Sequence, residues 1–218
     1  TELHFSTYVA TQRSGVKLSL NAQSLLFEGI TLRGSGTAVS SAAGTVTGLN
    51  DVAASNSFGL QLRDVVFRDW SGDGANIVRW FQQRFIGTYG RNNGGWGIVS
   101  NGDQAPYFSG AGGGFFRYNG LGGLWIKKGD VFIQDWNGEN ENIAIKIGVD
   151  TVTRATATII GANLERLEPE STGIYVSAFS QILTAQGVTI QGPEQAGQIG
   201  LHAVYFENAN GINSLPDV

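Results

Sequence analysis

The stretch NNGGWGIVSNGD, Asn92–Asp103, places four glycines around a tryptophan and an isoleucine and closes with Asn-Gly-Asp. An α-helix is disfavoured here, because each interior glycine costs about 1 kcal/mol relative to alanine. The same design returns in NGLGGLWIKKGD, Asn119–Asp130, and in NGENENIAIKIGVD, Asn137–Asp150. Three successive copies of a turn, a short apolar strand and a closing Gly and Asp predict a chain that coils, rather than a single hairpin.

Two columns of apolar residues recur in the same order along the chain, with a mean step of about 23 residues. A unit of this length has no room for a helix that connects two parallel strands. Parallel strands are then possible only if the chain coils, with equivalent strands of successive turns about 4.8 Å apart. We expect both columns to be buried except at Ile86, where Arg84 breaks the apolar alternation of the strand. The first column is Phe67, Ile86, Phe116, Ile133, Ile160, Ile190 and Phe206, and the second is Ile98, Ile126, Ile145, Val176 and Leu201.

The pattern therefore predicts an all-β parallel β-helix, or solenoid, with about 23 residues per coil. A β-sandwich also has short strands between regular turns, but it does not require the same order in each unit. Residues 1–57 are interpreted as early coils with a loop insertion at Gly34–Ser57, and residues 58–218 as the main coils. The chain is either one continuous domain or a fragment of a longer protein that begins at Thr1.

Composition narrows the classes of function. A net charge of −4 without a basic run argues against nucleic acid as a partner. The absence of cysteine excludes disulfides, zinc–thiolate sites and thiol catalysis. No apolar stretch approaches the roughly 18 residues that a membrane span needs. With two histidines, a transition-metal site is not expected, whereas calcium on acidic residues stays open.

Four residues are predicted to share one outward face, because they alternate with the inward residues of the second column: Trp125, Lys127, Lys146 and Tyr175. Lysines on adjacent rungs repel each other unless an anion lies between them. The aromatic rings suit stacking on sugars, so we interpret the four as contacts for an acidic polysaccharide. Solvated lysines on a sheet face are the structural alternative.

The acid residues that close the three turns, Asp103, Asp130 and Asp150, are predicted to stack along one edge of this face. Carboxylates about 5 Å apart on adjacent rungs, or about 10 Å apart on alternate rungs, bracket the separations used in glycoside hydrolysis. These three are the candidate catalytic residues. An Asp that follows Gly is also a common turn former, which is the alternative.

The segments ANLERLEP, Ala162–Pro169, and AVYFENANGI, Ala203–Ile212, resemble coil ends of the pectate-lyase-like superfamily of right-handed parallel β-helices, and specifically of bacteriophage tailspikes that degrade polysaccharides. This resemblance implies a homotrimer, an extracellular location on a virion tail, and cleavage of a bacterial surface polysaccharide by a hydrolase or lyase. The catalytic motifs of polygalacturonases are absent, so no catalytic residue carries over. A non-enzymatic adhesin or structural shaft of a tail fibre is the second hypothesis.

Overall fold

The computed structural model describes residues 1–4, 14–18, 24–36, 46–51, 57–100, 107–110, 115–139, 142–149, 155–165, 171–178, 180–191 and 202–207. The regular elements of these residues are β-strands, without a helix among them, and the strand pairings are parallel. The predicted parallel β-helix is therefore confirmed.

Each turn of the helix visits three sheets in a constant order, which we name sheet 1, sheet 2 and sheet 3. Sheet 1 stacks β3 (Leu25–Glu28), β7 (Leu60–Arg63), β11 (Arg84–Ile86), β14 (Tyr107–Ser109), β17 (Gly129–Gln134), β20 (Ala155–Ile160) and β23 (Gln181–Gln186). Sheet 2 stacks β1 (Glu2–His4), β4 (Thr31–Arg33), β8 (Val66–Arg68), β12 (Tyr89–Arg91), β15 (Phe115–Arg117), β18 (Asn137–Glu139), β21 (Asn163–Glu165) and β24 (Thr189–Ile190). Sheet 3 stacks β2 (Ser14–Leu18), β5 (Thr47–Asp51), β9 (Ala75–Ile77), β13 (Trp96–Ser100), β16 (Gly122–Ile126), β19 (Ile143–Ile147), β22 (Thr172–Val176) and β25 (His202–Phe206).

The coil is longer than predicted, at about 26 residues rather than about 23. The alignment of the first column caused the error, because its members lie on three sheets. Phe67, for example, belongs to sheet 2, whereas Ile133 belongs to sheet 1 and Phe206 to sheet 3. Strands of sheets 1 and 2 are separated by short corners and both carry apolar inward residues, so their ends look alike in the sequence.

The second column lies on sheet 3 as predicted, but it mixes two adjacent inward rows. Ile98 and Ile145 stand in one row, whereas Ile126 and Val176 stand in the other. All four are buried, which places the core behind sheet 3. Leu201, the fifth member, lies outside the described residues.

One predicted core residue points outward. Ile160 is the register partner of Gln134 and Gln186 and is only half-buried, because this row of sheet 1 faces solvent. Ile190 is half-buried and packs against the core from the last described strand of sheet 2. The expected loop at Gly34–Ser57 also needs correction, since Thr47–Asp51 forms strand β5 of sheet 3.

The corner from sheet 1 to sheet 2 is a tight turn with a left-handed residue. The residues at this corner have φ between 50° and 70°, a region that glycine enters freely and aspartate tolerates. Four of them, Gly29, Asp64, Asp135 and Gly161, donate their backbone N–H to a carbonyl of the next coil, as Asp135 does to Ile160 at 2.8 Å. The row consists of Gly29, Asp64, Gly87, Asp135, Gly161 and Gly187.

Three glycines of the opening stretch, Gly94, Gly95 and Gly97, are required by close packing between coils. A Cβ atom added at Gly97 would overlap the ring of Phe116, and one added at Gly94 would overlap the carbonyl of Ser71. Any larger residue would push neighbouring coils apart. The strand that these glycines surround, Trp96–Ser100, is buried throughout.

Buried asparagines complete the corner that leads from sheet 2 to sheet 3. The Nδ2 atom of Asn93 donates to Oδ1 of Asn119 at 2.8 Å, and the Asn119 amide donates in turn to the carbonyl of Gly90 at 3.0 Å. Each amide thus satisfies polar groups of the adjoining coil, which a buried polar side chain needs in order to be tolerated.

Candidate functional site

The four predicted contact residues lie together on the outer surface of sheet 3. Trp125, Lys146 and Tyr175 are successive register partners in one outward row. Lys127 follows β16, and its backbone N–H donates to the carbonyl of Ser100 at 2.8 Å. The structure brings all four together, while their role in binding stays a prediction.

The lysine ammonium groups lie over the aromatic rings. The Nζ atom of Lys127 is 4.4 Å from the centre of the Trp125 ring, and Nζ of Lys146 is 5.1 Å from the same ring. Nζ of Lys146 also lies 4.8 Å from the centre of the Tyr175 ring. These are cation–π distances. We call this surface the basic aromatic face and define it as Trp125, Lys127, Lys146, Tyr175 and Tyr205.

The orientation of Trp125 is fixed by its neighbours. Its Nε1–H donates to the carbonyl of Gly148 at 2.8 Å, and its ring centre lies 5.4 Å from that of Trp96. Lys146 is the register partner of Trp125 on the next coil, whereas Ala144 of the same strand is fully buried. The surface beside Trp125 is therefore positively charged.

Sequence reasoning missed Asp73, a half-buried carboxyl at the edge of this face. Its Oδ1 accepts the backbone N–H of Trp96 at 2.8 Å. Burial raises the pKa of Asp73 above its usual range, and the bond from Trp96 and the charge of Lys127 oppose the shift in part. The sequence contained one indication of this contact, because Asp73 stands one coil, or 23 residues, before Trp96.

The predicted row of aspartates is described at one position only. Asp130 lies in β17 of sheet 1, beyond the corner that follows the basic aromatic face, and is exposed. Its Oδ1 accepts the hydroxyl of Thr156, its register partner in β20. Asp103 and Asp150 lie outside the described residues, so the stacked acidic edge stays a prediction. No group of three His, Asp or Glu residues suited to a metal ion occurs in the part of the chain that the structure describes.

A second surface that sequence reasoning missed is a groove of about 810 Å³ on the outside of sheet 1. We call it the sheet 1 groove. Gln61, Arg84, Tyr107 and Phe132 are successive register partners along its floor. The signal in the sequence was their spacing of about one coil. Its remaining lining residues are Gly59, Gln82, Gln83 and Ile86.

Sheet 2 carries a row of arginines on its outside, at the ends of four consecutive strands: Arg33, Arg68, Arg91 and Arg117. Most of this charge is matched by acids. Asp69 accepts from Arg33 at 3.1 Å and from Arg68 at 3.0 Å, and Arg117 lies 3.7 Å from Glu139. We therefore do not place the binding surface here.

No family model matches the chain, and no curated protein matches it in sequence. In the described ranges, no helix is long and apolar enough to cross a membrane.

Proposed function

We propose that this chain is a carbohydrate-active β-helix that binds and cleaves an acidic bacterial surface polysaccharide, with the basic aromatic face as its binding surface. The observation that carries the proposal is the position of two lysine ammonium groups over Trp125. In a protein of net charge −4, this local concentration of positive charge favours an anionic ligand.

The aromatic rings support a polymer rather than a small anion. Trp125, Lys146, Tyr175 and Tyr205 follow one another along one outward row of sheet 3, and the rings of Tyr175 and Tyr205 lie 5.0 Å apart. Successive sugar rings can stack on such a row, while their carboxylates contact Lys127 and Lys146. An extracellular location and a homotrimer, as in tailspikes, belong to the same proposal.

For cleavage, Asp73 is the proposed proton donor. A general acid needs a carboxyl that stays protonated at higher pH than usual, and burial raises the pKa of Asp73 in that direction. Its neighbour Lys127 belongs to the proposed binding surface, and Trp96, whose backbone N–H it accepts, contacts the ring of Trp125. A base or nucleophile would come from the predicted Asp103 or Asp150.

A non-enzymatic adhesin is the second candidate, and a specific observation favours it. Asp130, the described member of the predicted catalytic row, lies on sheet 1 and bonds Thr156, away from the row that holds Trp125. Binding without cleavage would need only the basic aromatic face.

The two functions are separated by incubating the protein with a panel of acidic capsular polysaccharides and one neutral glucan. A hydrolase releases reducing ends alone, a lyase also produces the absorbance of unsaturated uronates, and an adhesin retains the polymer unchanged. Retention of none of the acidic polymers would overturn the proposal. Trp125→Ala should weaken retention without changing the assembly mass, whereas lost assembly would assign Trp125 to a subunit contact.

A further inference from the structure

The sheet 1 groove is formed where the coil departs from its regular pattern. Between sheet 3 and sheet 1, two successive coils each add a short strand, β6 (Ser57–Phe58) and β10 (Trp80–Phe81), and these two strands pair in parallel outside the three main sheets. Phe58 and Phe81 stack with ring centres 5.2 Å apart. This extra pair adjoins the groove, whose lining includes Gly59 and Gln82.

The loop that borders the groove is held in one conformation. Gln82 has a φ of 53°, an uncommon value for a residue with a side chain. Gln83 is fully buried, where its Nε2 donates to the carbonyl of Trp80 at 2.6 Å and its Oε1 accepts the hydroxyl of Ser100 at 2.9 Å. Strained residues that the surrounding structure holds in place often occur at binding sites.

The floor of the groove offers a flat aromatic surface. The rings of Tyr107 and Phe132 are nearly parallel, at 18°, with their centres 5.7 Å apart. The hydroxyl of Tyr107 donates to Oε1 of Gln134 at 3.2 Å, which fixes the ring. Both side chains are half-buried, so each ring keeps accessible surface.

Arg84 supplies an unmatched positive charge beside these rings. It is exposed, stands between Gln61 and Tyr107 in the same row, and forms no ion pair with any carboxylate in the described ranges. A guanidinium in this position can bind a carboxylate through two parallel hydrogen bonds. The amide of Gln61 can bind hydroxyl groups next to it.

We propose that the sheet 1 groove is a separate binding site for a short acidic oligosaccharide, which stacks one sugar ring on Tyr107 and Phe132 and places a carboxylate on Arg84. The volume of about 810 Å³ lies within the range of small-molecule sites. The proposal goes beyond the function proposed above, because the groove lies on a different sheet from the basic aromatic face and does not depend on it.

The test is calorimetric titration of the intact chain with four probes: the tetrasaccharides of galacturonate, mannuronate and hyaluronan, and neutral maltotetraose. At least one acidic probe should bind, and Arg84→Gln should weaken it about tenfold, as expected for a lost charge-assisted hydrogen bond. Arg84→Lys, which keeps the charge, should retain more of the affinity than Arg84→Gln. Arg91→Gln is the matched control, because Arg91 is also exposed and unpaired within the described ranges.

The outcomes separate this proposal from the preceding one. In a Lys127→Gln background, which weakens any binding of the probes at the basic aromatic face, Arg84→Gln should still weaken tetrasaccharide binding about tenfold if the groove is an independent site. The groove proposal is overturned if no acidic probe binds, if Arg84→Gln and Arg91→Gln have equal effects, or if Arg84→Gln changes the assembly mass, which would make the groove a subunit contact. A thermal melt of each variant checks that it is folded.

Discussion

Lys146 is the register partner of Trp125, and its ammonium nitrogen lies 5.1 Å from the centre of the indole ring and 4.8 Å from that of Tyr175. A cation held between two aromatic rings on adjacent coils is a consequence of parallel stacking, because residues one turn apart become neighbours about 4.8 Å apart. The solenoid thus converts a periodic sequence into a continuous charged and aromatic surface.

The core of the coil is expected to tolerate truncation poorly. Ile145 is fully buried in an inward row of sheet 3, so Ile145→Ala should lower the free energy of unfolding by about 2–5 kcal/mol through lost burial and a cavity. Urea denaturation measures the change. Thr189→Ala, at an exposed position of sheet 2, is the control and should stay within about 0.5 kcal/mol. Equal effects at both positions would contradict the assigned core.

The corner between sheets 1 and 2 allows a test of backbone conformation alone. Gly29 has a φ of 62°, and an added Cβ atom would meet no atom within 4 Å. Gly29→Ala should therefore cost roughly 1–2 kcal/mol of stability from the left-handed conformation and not from a clash. Gly29→Asn should cost less, because asparagine tolerates this region better. Equal unfolding midpoints for Gly, Ala and Asn at this position would show that the corner is wrongly assigned.

The buried carboxyl of Asp73 predicts a pH-dependent loss of stability. Its folded-state pKa is raised above the usual 3.8, so its contribution is intact below that value and is lost as the pH rises through the folded pKa. Asp73→Asn keeps an oxygen to accept the N–H of Trp96 but removes the charge. The melting temperature of the variant should match that of the parent protein near pH 3 and exceed it at pH 7. A difference that is constant with pH would contradict the raised pKa.

The sequence was sufficient to predict which residues within a strand point inward, but not to predict the length of the coil. Alternating residues such as Leu124 and Ile126 predict a strand with one buried face, and both are fully buried. The period was underestimated because apolar strand ends on different sheets were aligned with one another. The corner residues Asp135, Gly161 and Gly187, spaced by 26 residues, carry the true repeat in the sequence.

The candidate sites also differ in how far the sequence could predict them. Trp125, Lys146 and Tyr175 could be placed on one face because outward rows follow directly from strand alternation. The spacing of the residues on the floor of the sheet 1 groove could be found in the sequence, but the groove itself could not, since it depends on the extra strand pair of β6 and β10 beside that row. Asp73 escaped notice because a turn aspartate and a buried, charge-coupled aspartate have the same local sequence.

The central claim is that the lysines of the basic aromatic face bind an acidic polysaccharide. Its most direct test uses the Lys127→Gln/Lys146→Gln variant, with Lys17→Gln as the matched control. Lys17 is an exposed lysine in the same outward row of sheet 3, four coils away from Trp125.

The measurement is the affinity for the acidic polysaccharide that the unaltered protein retains most tightly, determined at low and at high salt. We expect the double variant to bind about tenfold more weakly at low salt and to show a smaller dependence on salt, because two charged contacts are removed. Lys17→Gln should bind as the unaltered protein does. An unchanged affinity in the double variant, or the same loss in Lys17→Gln, would contradict the claim that this face is the binding surface.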